Sequence, residues 1–236
     1  MVSRARSREA ERPWRGIDVS AHTPNFSGSR SDPLGRTSKR AVDLLLGTFA
    51  LVALAPLLLI VAIIVKLGDG GPVLYSHTRV GFGGTPFGCL KFRTMKTNAS
   101  AQLAELLKTD PAARMEWEAT RKLKDDPRIT VVGEILRRSS LDELPQLINV
   151  VRGEMSLVGP RPVTAEELPR YGEHVLTYFV ARPGLTGHWQ TSGRNDVSYQ
   201  SRVSLDVHYV RTWSLWRDFA IMLKTVPSLF SQRGSY

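Results

Sequence analysis

The densest run of chemically capable residues in this chain is Leu136-Arg137-Arg138-Ser139-Ser140-Leu141-Asp142-Glu143-Leu144-Pro145-Gln146. Two adjacent carboxylates follow two arginines by about one helical turn. Such a set has two readings. In one, Ser140-Leu141-Asp142-Glu143 is a capping box, with Ser140 as N-cap and Glu143 reaching back to it. Pro145 would then fall at the fifth helical position and lose a bond to Leu141, which strains that register. In the other, a helix N-terminus offers free N–H groups to an anion such as phosphate, and the same field keeps Asp142 ionised as a nucleophile or metal ligand. Neighbouring helical side chains point about 100° apart, so Asp142 and Glu143 can converge on one Mg²⁺ or divide the roles of nucleophile and base. Hard carboxylate oxygens beside arginines suit a diphosphate–Mg²⁺ substrate. The cluster alone leaves both readings open.

Further features favour chemistry. In Lys91-Phe92-Arg93, strand alternation sends Lys91 and Arg93 to one face and Phe92 to the other. Gly159-Pro160-Arg161-Pro162 sets an arginine between two prolines, which fixes its backbone and its direction. The loops Arg182-Pro183-Gly184-Leu185-Thr186-Gly187 and Ser192-Gly193-Arg194-Asn195-Asp196 are dense in residues with special backbone behaviour, and plain turns would explain them equally well. Residues 81–84 read as a hairpin rather than a phosphate loop, because no Gly-Lys-Ser/Thr ending or helix follows. His77, His174, His188 and His208 lack zinc-type spacing. Cys89 reads as a packed side chain, and a lone cysteine permits no intramolecular disulfide.

Those residues need a scaffold, and the chain divides visibly into parts. Residues 1–40 hold nine Lys/Arg and four Asp/Glu, half of the net +10 of the 236-residue chain. Cationic tails attract nucleic acid or anionic lipid, and charge alone does not choose. The next segment does: residues 44–65 contain no charged residue, about the length a helix needs to cross a hydrocarbon core. Pro56 interrupts that run. Arg36, Lys39 and Arg40 precede it and Lys66 and Arg79 follow; Lys/Arg-rich flanks stay cytoplasmic. If both flanks obey, the segment enters, turns near Pro56 and leaves by the same face; a straight span is the alternative. Beyond it, strands are expected at 73–80, 87–95 and 129–132, and helices at 100–123 (broken at Asp110-Pro111), 144–151 and 166–180. From about 203 to 230, Trp213, Trp216 and Phe219 lie among Arg211, Arg217 and Lys224, as in a helix seated among lipid headgroups.

The ordered strings Lys91-Phe92-Arg93-Thr94-Met95, Ser140-Leu141-Asp142-Glu143-Leu144-Pro145-Gln146, Val158-Gly159-Pro160-Arg161-Pro162 and Arg182-Pro183-Gly184-Leu185-Thr186-Gly187 together resemble the bacterial sugar transferases, the monotopic polyprenyl-phosphate phosphoglycosyl transferases. The start Lys39-Arg40-Ala41-Val42-Asp43 before an apolar run with a central proline is similar too, although Ala55 stands where members often have Ser. Thr120-Arg121-Lys122-Leu123, Asn195-Asp196-Val197-Ser198-Tyr199 and Trp213-Ser214-Leu215 most resemble the exopolysaccharide enzymes that load galactose 1-phosphate.

The resemblance implies an α+β, mainly α, monotopic membrane protein: a disordered basic tail over 1–36, a re-entrant helix over 37–66 and a cytosolic catalytic domain over 67–236 with interfacial amphipathic helices. It implies attachment to the cytoplasmic face of the bacterial inner membrane and a need for Mg²⁺. It implies that Asp142 attacks the β-phosphate of a UDP-sugar, UMP leaves, and undecaprenyl phosphate then takes the phosphosugar. Asp142 would be nucleophile and metal ligand, Glu143 base or second metal contact, and Arg137 and Arg161 phosphate ligands, with Lys91 and Arg93 in a shared phosphate-binding motif. The expected partners are a UDP-sugar, undecaprenyl phosphate, anionic lipid and a second copy of the chain, with no nucleic acid. The competing readings are a membrane-bound UDP-sugar hydrolase, a non-catalytic basic membrane scaffold, and a nucleic-acid binder acting through the tail.

Overall fold

The computed structural model describes residues 32–120, 123–191 and 198–230. Most of the basic tail, the loop 192–196 and two members of the Thr120-Arg121-Lys122-Leu123 string lie outside these residues.

The apolar run forms two helices, α1 (Arg36–Ala53) and α2 (Ala55–Asp69), bent by 59°. Pro56 lacks the N–H that the carbonyl of Val52 would otherwise accept, so the ladder breaks there. Leu54 takes φ −90°, ψ 0°, with its own N–H still on Ala50 at 2.9 Å. Among the described residues no single helix is long and apolar enough to cross a membrane, whereas the bent pair together is. Its apex is strongly apolar and open, with Phe49 72% exposed.

Both ends of the pair are tied into the rest of the fold. At the first, Lys39 makes a buried ion pair with Asp218 at 2.6 Å. Arg40 donates to the carbonyls of Val150 and Val151 at 2.6 and 2.7 Å. Asp43 accepts from the Ser156 hydroxyl and the Leu157 N–H, each at 2.9 Å. At the second end, Asp69 ion-pairs with Arg93 and accepts from Thr97 N–H at 3.0 Å, while Val61 and Val65 pack on Phe92 and Leu136. Lys39 and Arg40 are therefore structural groups and not the solvated flank that their position in the sequence suggests. The packed part also begins before residue 37: Leu34 N–H bonds Val180 O at 2.8 Å, and its side chain joins the cluster around Val158 and Tyr209.

β1 (Leu74–Val80) and β2 (Pro86–Phe92) form an antiparallel hairpin with Tyr75 opposite Lys91, His77 opposite Cys89 and Arg79 opposite Phe87. Gly83 and Gly84 supply positive φ in the turn, so 81–84 is a hairpin as expected. Helices α3 (Ala99–Thr109) and α4 (Pro111–Thr120) follow. The strand expected at 129–132 is not formed. Ile129 makes one bridge to Met95, and Thr130 caps a helix instead, its hydroxyl accepting from Gly133 N–H at 2.9 Å. A cap has outweighed a β-branched run here.

That helix is α5 (Val131–Arg138); α6 (Gln146–Arg152) lies beyond a short turn. β3 (Ser156–Val158) pairs in parallel with β4 (Gly184–Thr186). The helix expected over 166–180 is two pieces, a 3₁₀ stretch Leu168–His174 and α7 (Val175–Phe179), because Gly172 breaks the spiral at φ 52°, ψ −127°. After α8 (His188–Thr191), the terminal stretch is two helices, α9 (Tyr199–Arg211) and α10 (Leu215–Phe230). Of these, α9 is a core helix, burying Val203 and Val207 against Tyr178 and Phe179. Trp213 is a core group as well, donating to Asp218 at 3.0 Å. Only α10 keeps an open apolar stripe of Trp216, Phe219 and Leu223, with Trp216 84% exposed.

Candidate active site

After α5 the chain reverses at Ser140, whose φ of 57° is uncommon for a residue with a side chain. Leu141–Glu143 then makes one 3₁₀ turn, and Pro145 stands at the N-cap of α6, where its missing N–H is harmless. Ser140 makes no side-chain cap. The capping box is thus absent, and Asp142 and Glu143 sit just upstream of α6 rather than in its first turn.

Asp142 is 8% exposed. Burial drives its carboxyl up to about 6; Lys91 and Arg137 pull it down, and Glu143 pushes it further up. Lys91 Nζ lies 2.6 Å from Glu143 Oε1 and 3.8 Å from Asp142 Oδ2. Burial opposes the Lys91 charge, but Glu143 and Asp142 outweigh it and raise the pKa, so the ammonium stays charged. The position of Lys91 is fixed by Asn149 on α6, which accepts from Leu90 N–H at 3.0 Å and donates to Gly88 O at 2.8 Å. Strand and acid turn are thereby locked in register.

Arg137 donates through Nε to the Thr94 hydroxyl at 2.9 Å. Thr94 also accepts the N–H of Thr130 on its carbonyl at 3.0 Å, and a Cβ at Gly133 would collide with that carbonyl. Thr94 therefore positions Arg137, a role the Lys91–Met95 string could signal only as part of a motif. Arg161 leaves β3 on a loop pinned to β4: Gly159 N–H bonds Thr186 O at 3.0 Å, and Gly184 N–H bonds Pro160 O at 2.8 Å. The loop 182–187 thus holds the Arg161 loop in place. The Arg161 guanidinium meets Glu167 at 3.0 Å and lies 5.8 Å from the Trp189 ring centroid.

All six residues expected from the sequence, Lys91, Arg93, Arg137, Asp142, Glu143 and Arg161, line one cleft of about 1270 Å³. Arg93 differs from the others. It is committed to Asp69, and its Nη1 is buried against Gly71 without a partner, so it braces the end of α2. Cys89 is a packed wall residue, its thiol pushed up to about 11 by burial. Seven basic residues line the cleft against two acids, Asp142 and Glu143, which suits a multiply charged anion.

The acid pair already cradles a cation, the Lys91 ammonium. Among the described residues no group of three or more His, Cys, Asp or Glu could hold a metal. The cleft offers two carboxylates, Asp142 and Glu143; a hard cation such as Mg²⁺ held by one or both would have to complete its shell with substrate phosphate and water.

The model of the bacterial sugar transferase family matches residues 34–232. The chain belongs to that family. This bacterial sugar transferase is 56% identical over 204 residues to the exopolysaccharide production protein ExoY of Sinorhizobium fredii, a match covering 86% of the chain and 90% of the relative. It is 50% identical over 201 residues to the undecaprenyl-phosphate galactose phosphotransferase of Salmonella typhimurium, covering 85% of the chain but 42% of that protein. It is 38% identical over 232 residues to the UDP-glucose:undecaprenyl-phosphate glucose-1-phosphate transferase of Caulobacter vibrioides, covering 93% and 81%. The expectation of a phosphoglycosyl transferase is met.

Proposed function

We propose that this enzyme moves a hexose 1-phosphate, galactose 1-phosphate, from its UDP-sugar to undecaprenyl phosphate and releases UMP, starting exopolysaccharide synthesis at the cytoplasmic face of the inner membrane. The observation that carries the reading is a buried Asp142 beside Lys91 and Arg137, in a cationic cleft built on an apolar hairpin. Both substrates are anions and one is a lipid, so both halves of that arrangement have a use. The choice of galactose follows the name of the 50% identical relative over that of the 38% identical glucose enzyme.

In this reading an Asp142 carboxylate oxygen attacks the phosphorus that carries the sugar. The bond to the bridging oxygen breaks, its electron pair leaves on UMP, and the phosphosugar is held as an acyl phosphate. Lys91 and Arg137 neutralise charge on the phosphate under attack; in phosphoryl transfer, positioning and neutralisation supply most of the catalysis. An oxygen of the lipid phosphate then attacks the same phosphorus, with Glu143 accepting its remaining proton, and Asp142 leaves as a carboxylate. Asp142 and Glu143 would hold Mg²⁺, whose chemistry is to neutralise the diphosphate. The hairpin enters and leaves the bilayer on one side, because both its ends are fixed to one packed unit. The open stripe of α10 lies in the headgroup layer.

The test uses protein in membranes, undecaprenyl phosphate and a panel of labelled UDP-sugars. Sustained UMP release should require the lipid phosphate, and omitting it should give about one equivalent of UMP per enzyme and leave one labelled phosphosugar on Asp142. UMP release that continues through many turnovers without the lipid supports the hydrolase; product without label on Asp142 removes the covalent route.

A further inference from the structure

Arg79 has no part in the reading above, yet it stands in the same cleft. Strand alternation places it on the face of β1 that carries Tyr75 and His77, and pairing places that face beside Lys91. Arg79 Nη1 reaches Glu167 Oε2 at 3.1 Å, and Arg161 Nη1 reaches Glu167 Oε1 at 3.0 Å. One carboxylate therefore holds two guanidiniums, one on each oxygen. Glu167 is itself fixed, because Thr164 N–H donates to Oε2 at 3.0 Å and the Tyr199 hydroxyl donates to its main-chain carbonyl at 3.3 Å. Burial opposes its ionisation, but Arg161, the Thr164 N–H and Arg79 hold its pKa below the usual range. The Arg161 main chain is secured separately, its N–H on Asp206 Oδ2 at 3.3 Å, an oxygen that also accepts from the Tyr171 hydroxyl at 2.8 Å.

Two guanidiniums against one carboxylate leave a surplus positive charge. Among the described residues neither guanidinium makes another side-chain hydrogen bond, so most of the five donors of each remain available. Neither arginine is ion-paired to Asp142 or Glu143, whereas Lys91 is. The cleft thus holds two cationic stations, one at the nucleophile and one further along.

We propose that Arg79 and Arg161, spaced by Glu167, form a fork for the phosphate that leaves with the nucleoside, while Lys91 and Arg137 serve the phosphate that Asp142 attacks. The assignment rests on the reading that the donor is a UDP-sugar. Its chemical rationale is that the leaving phosphate gains negative charge as the bridging bond breaks, and fixed donors aimed there lower the barrier. Glu167 is a positioning residue that keeps two like charges close enough to grip one phosphate. A phosphate fork could also take the lipid phosphate, so the measurement has an arm for each.

Binding of UMP and of uridine is measured by calorimetry on detergent-solubilised wild type, Arg79→Ala, Arg79→Lys and Glu167→Gln with Mg²⁺ present, alongside kcat/KM for undecaprenyl phosphate. Arg79→Ala should weaken UMP about tenfold or more, the loss expected for hydrogen bonds to a charged group. Uridine affinity and kcat/KM for the lipid phosphate should not change. Arg79→Lys, which keeps the charge and the Glu167 pair should the alanine variant not fold, should fall between. Glu167→Gln retains both guanidiniums and should lose less than Arg79→Ala. The fork is overturned if Arg79→Ala binds UMP like wild type. It is overturned if Glu167→Gln loses as much, because Arg79 would then act only through Glu167, or if kcat/KM for the lipid phosphate falls in place of UMP affinity. Failure of wild type to bind UMP would remove the donor reading and the fork together; normal UMP binding by every variant would remove the fork alone.

Discussion

Replacing Asp142 by Asn should stop turnover and, at neutral pH, make the protein more stable. The Asp142 carboxyl moves from an ordinary 3.8 to about 6 in the folded chain, chiefly through burial. That shift corresponds to roughly 3 kcal/mol of opposed ionisation at pH 7. Between 3.8 and about 6 the folded chain binds this proton more tightly than the unfolded chain. Stability from this group is therefore present at low pH and lost as pH rises through that window. Asn carries no charge at any pH and avoids the loss. Against the gain stand a new amide in a site not built for it, about 1–3 kcal/mol if left without partners, and one of the two carboxylates near Lys91. Lys91 keeps the closer, Glu143 at 2.6 Å. Set against the roughly 3 kcal/mol gained, this leaves a net gain of at most about 2 kcal/mol, or up to roughly 8 °C in Tm for a chain of this size.

Thermal melts of both proteins in the same detergent at pH 7.5 and pH 4 measure this, with UMP release as the activity readout. The Asn variant should melt higher at pH 7.5, and its advantage should vanish at pH 4, where wild-type Asp142 is largely neutral. A variant that melts lower at pH 7.5, or an advantage independent of pH, would show that the buried charge is no burden on the fold. Retained turnover would remove Asp142 as the nucleophile.

In the free enzyme kcat/KM should rise about tenfold per pH unit up to roughly 6 and then level as Asp142 ionises. Lys91→Met should move that rise to higher pH, because Lys91 lowers the Asp142 pKa; a profile flat from pH 5 to 7 contradicts this. Gly133→Ala drives a methyl into the Thr94 carbonyl, an overpacking worth about 1–3 kcal/mol. It should raise donor KM through Arg137, and an unchanged melt and KM would refute the Thr94 pivot. Lys39→Met leaves Asp218 buried without its cation, a loss of about 3–5 kcal/mol in such pairs. The low end is expected because Tyr209 and Trp213 still donate to Asp218, and Lys39→Met with Asp218→Asn should recover part of it in a melt. Cysteines placed one at a time in 32–36 and 70–73 should be labelled from the same side of the membrane; labelling from opposite sides removes the hairpin.

What could be read from the sequence was local. Pro56 announced the break between α1 and α2, the glycines of 81–84 a hairpin, and the prolines around Arg161 a fixed arginine. Alternation was enough to separate Phe92, which packs in the core, from Lys91 and Arg93 on the cleft face, while the meeting of Lys91 with Glu143 needed the fold. What could not be read was pairing at a distance. Lys39 looks like a solvated flank charge until Asp218, 179 residues away, is placed beside it. Arg79 and Glu167 are 88 residues apart, and neither is distinctive alone. Ser140 fits a capping box by type, and only its left-handed backbone shows that the box does not form. Similarly, 129–132 has the composition of a strand, and one hydroxyl on Gly133 N–H decides for a helix.

The same distant pairs explain how the apolar helix pair, placed in a bilayer as proposed, would serve a chemical site. The first foot of the hairpin, through Arg40 and Asp43, grips the C-terminal end of α6 and the start of β3. The second, through Asp69 and the apolar face of α2, grips Arg93 at the end of β2 and Leu136 on α5. Asp142 lies on the turn between α5 and α6, so the proposed nucleophile is suspended between elements that the two feet hold. In that reading a bilayer that set the depth of the hairpin would set the height of Asp142 above the headgroups, and a lipid phosphate restricted to that plane would meet it without any further search along the membrane normal. Arg93, which lines the cleft but is committed to Asp69, would in that reading serve the chemistry by fixing that height.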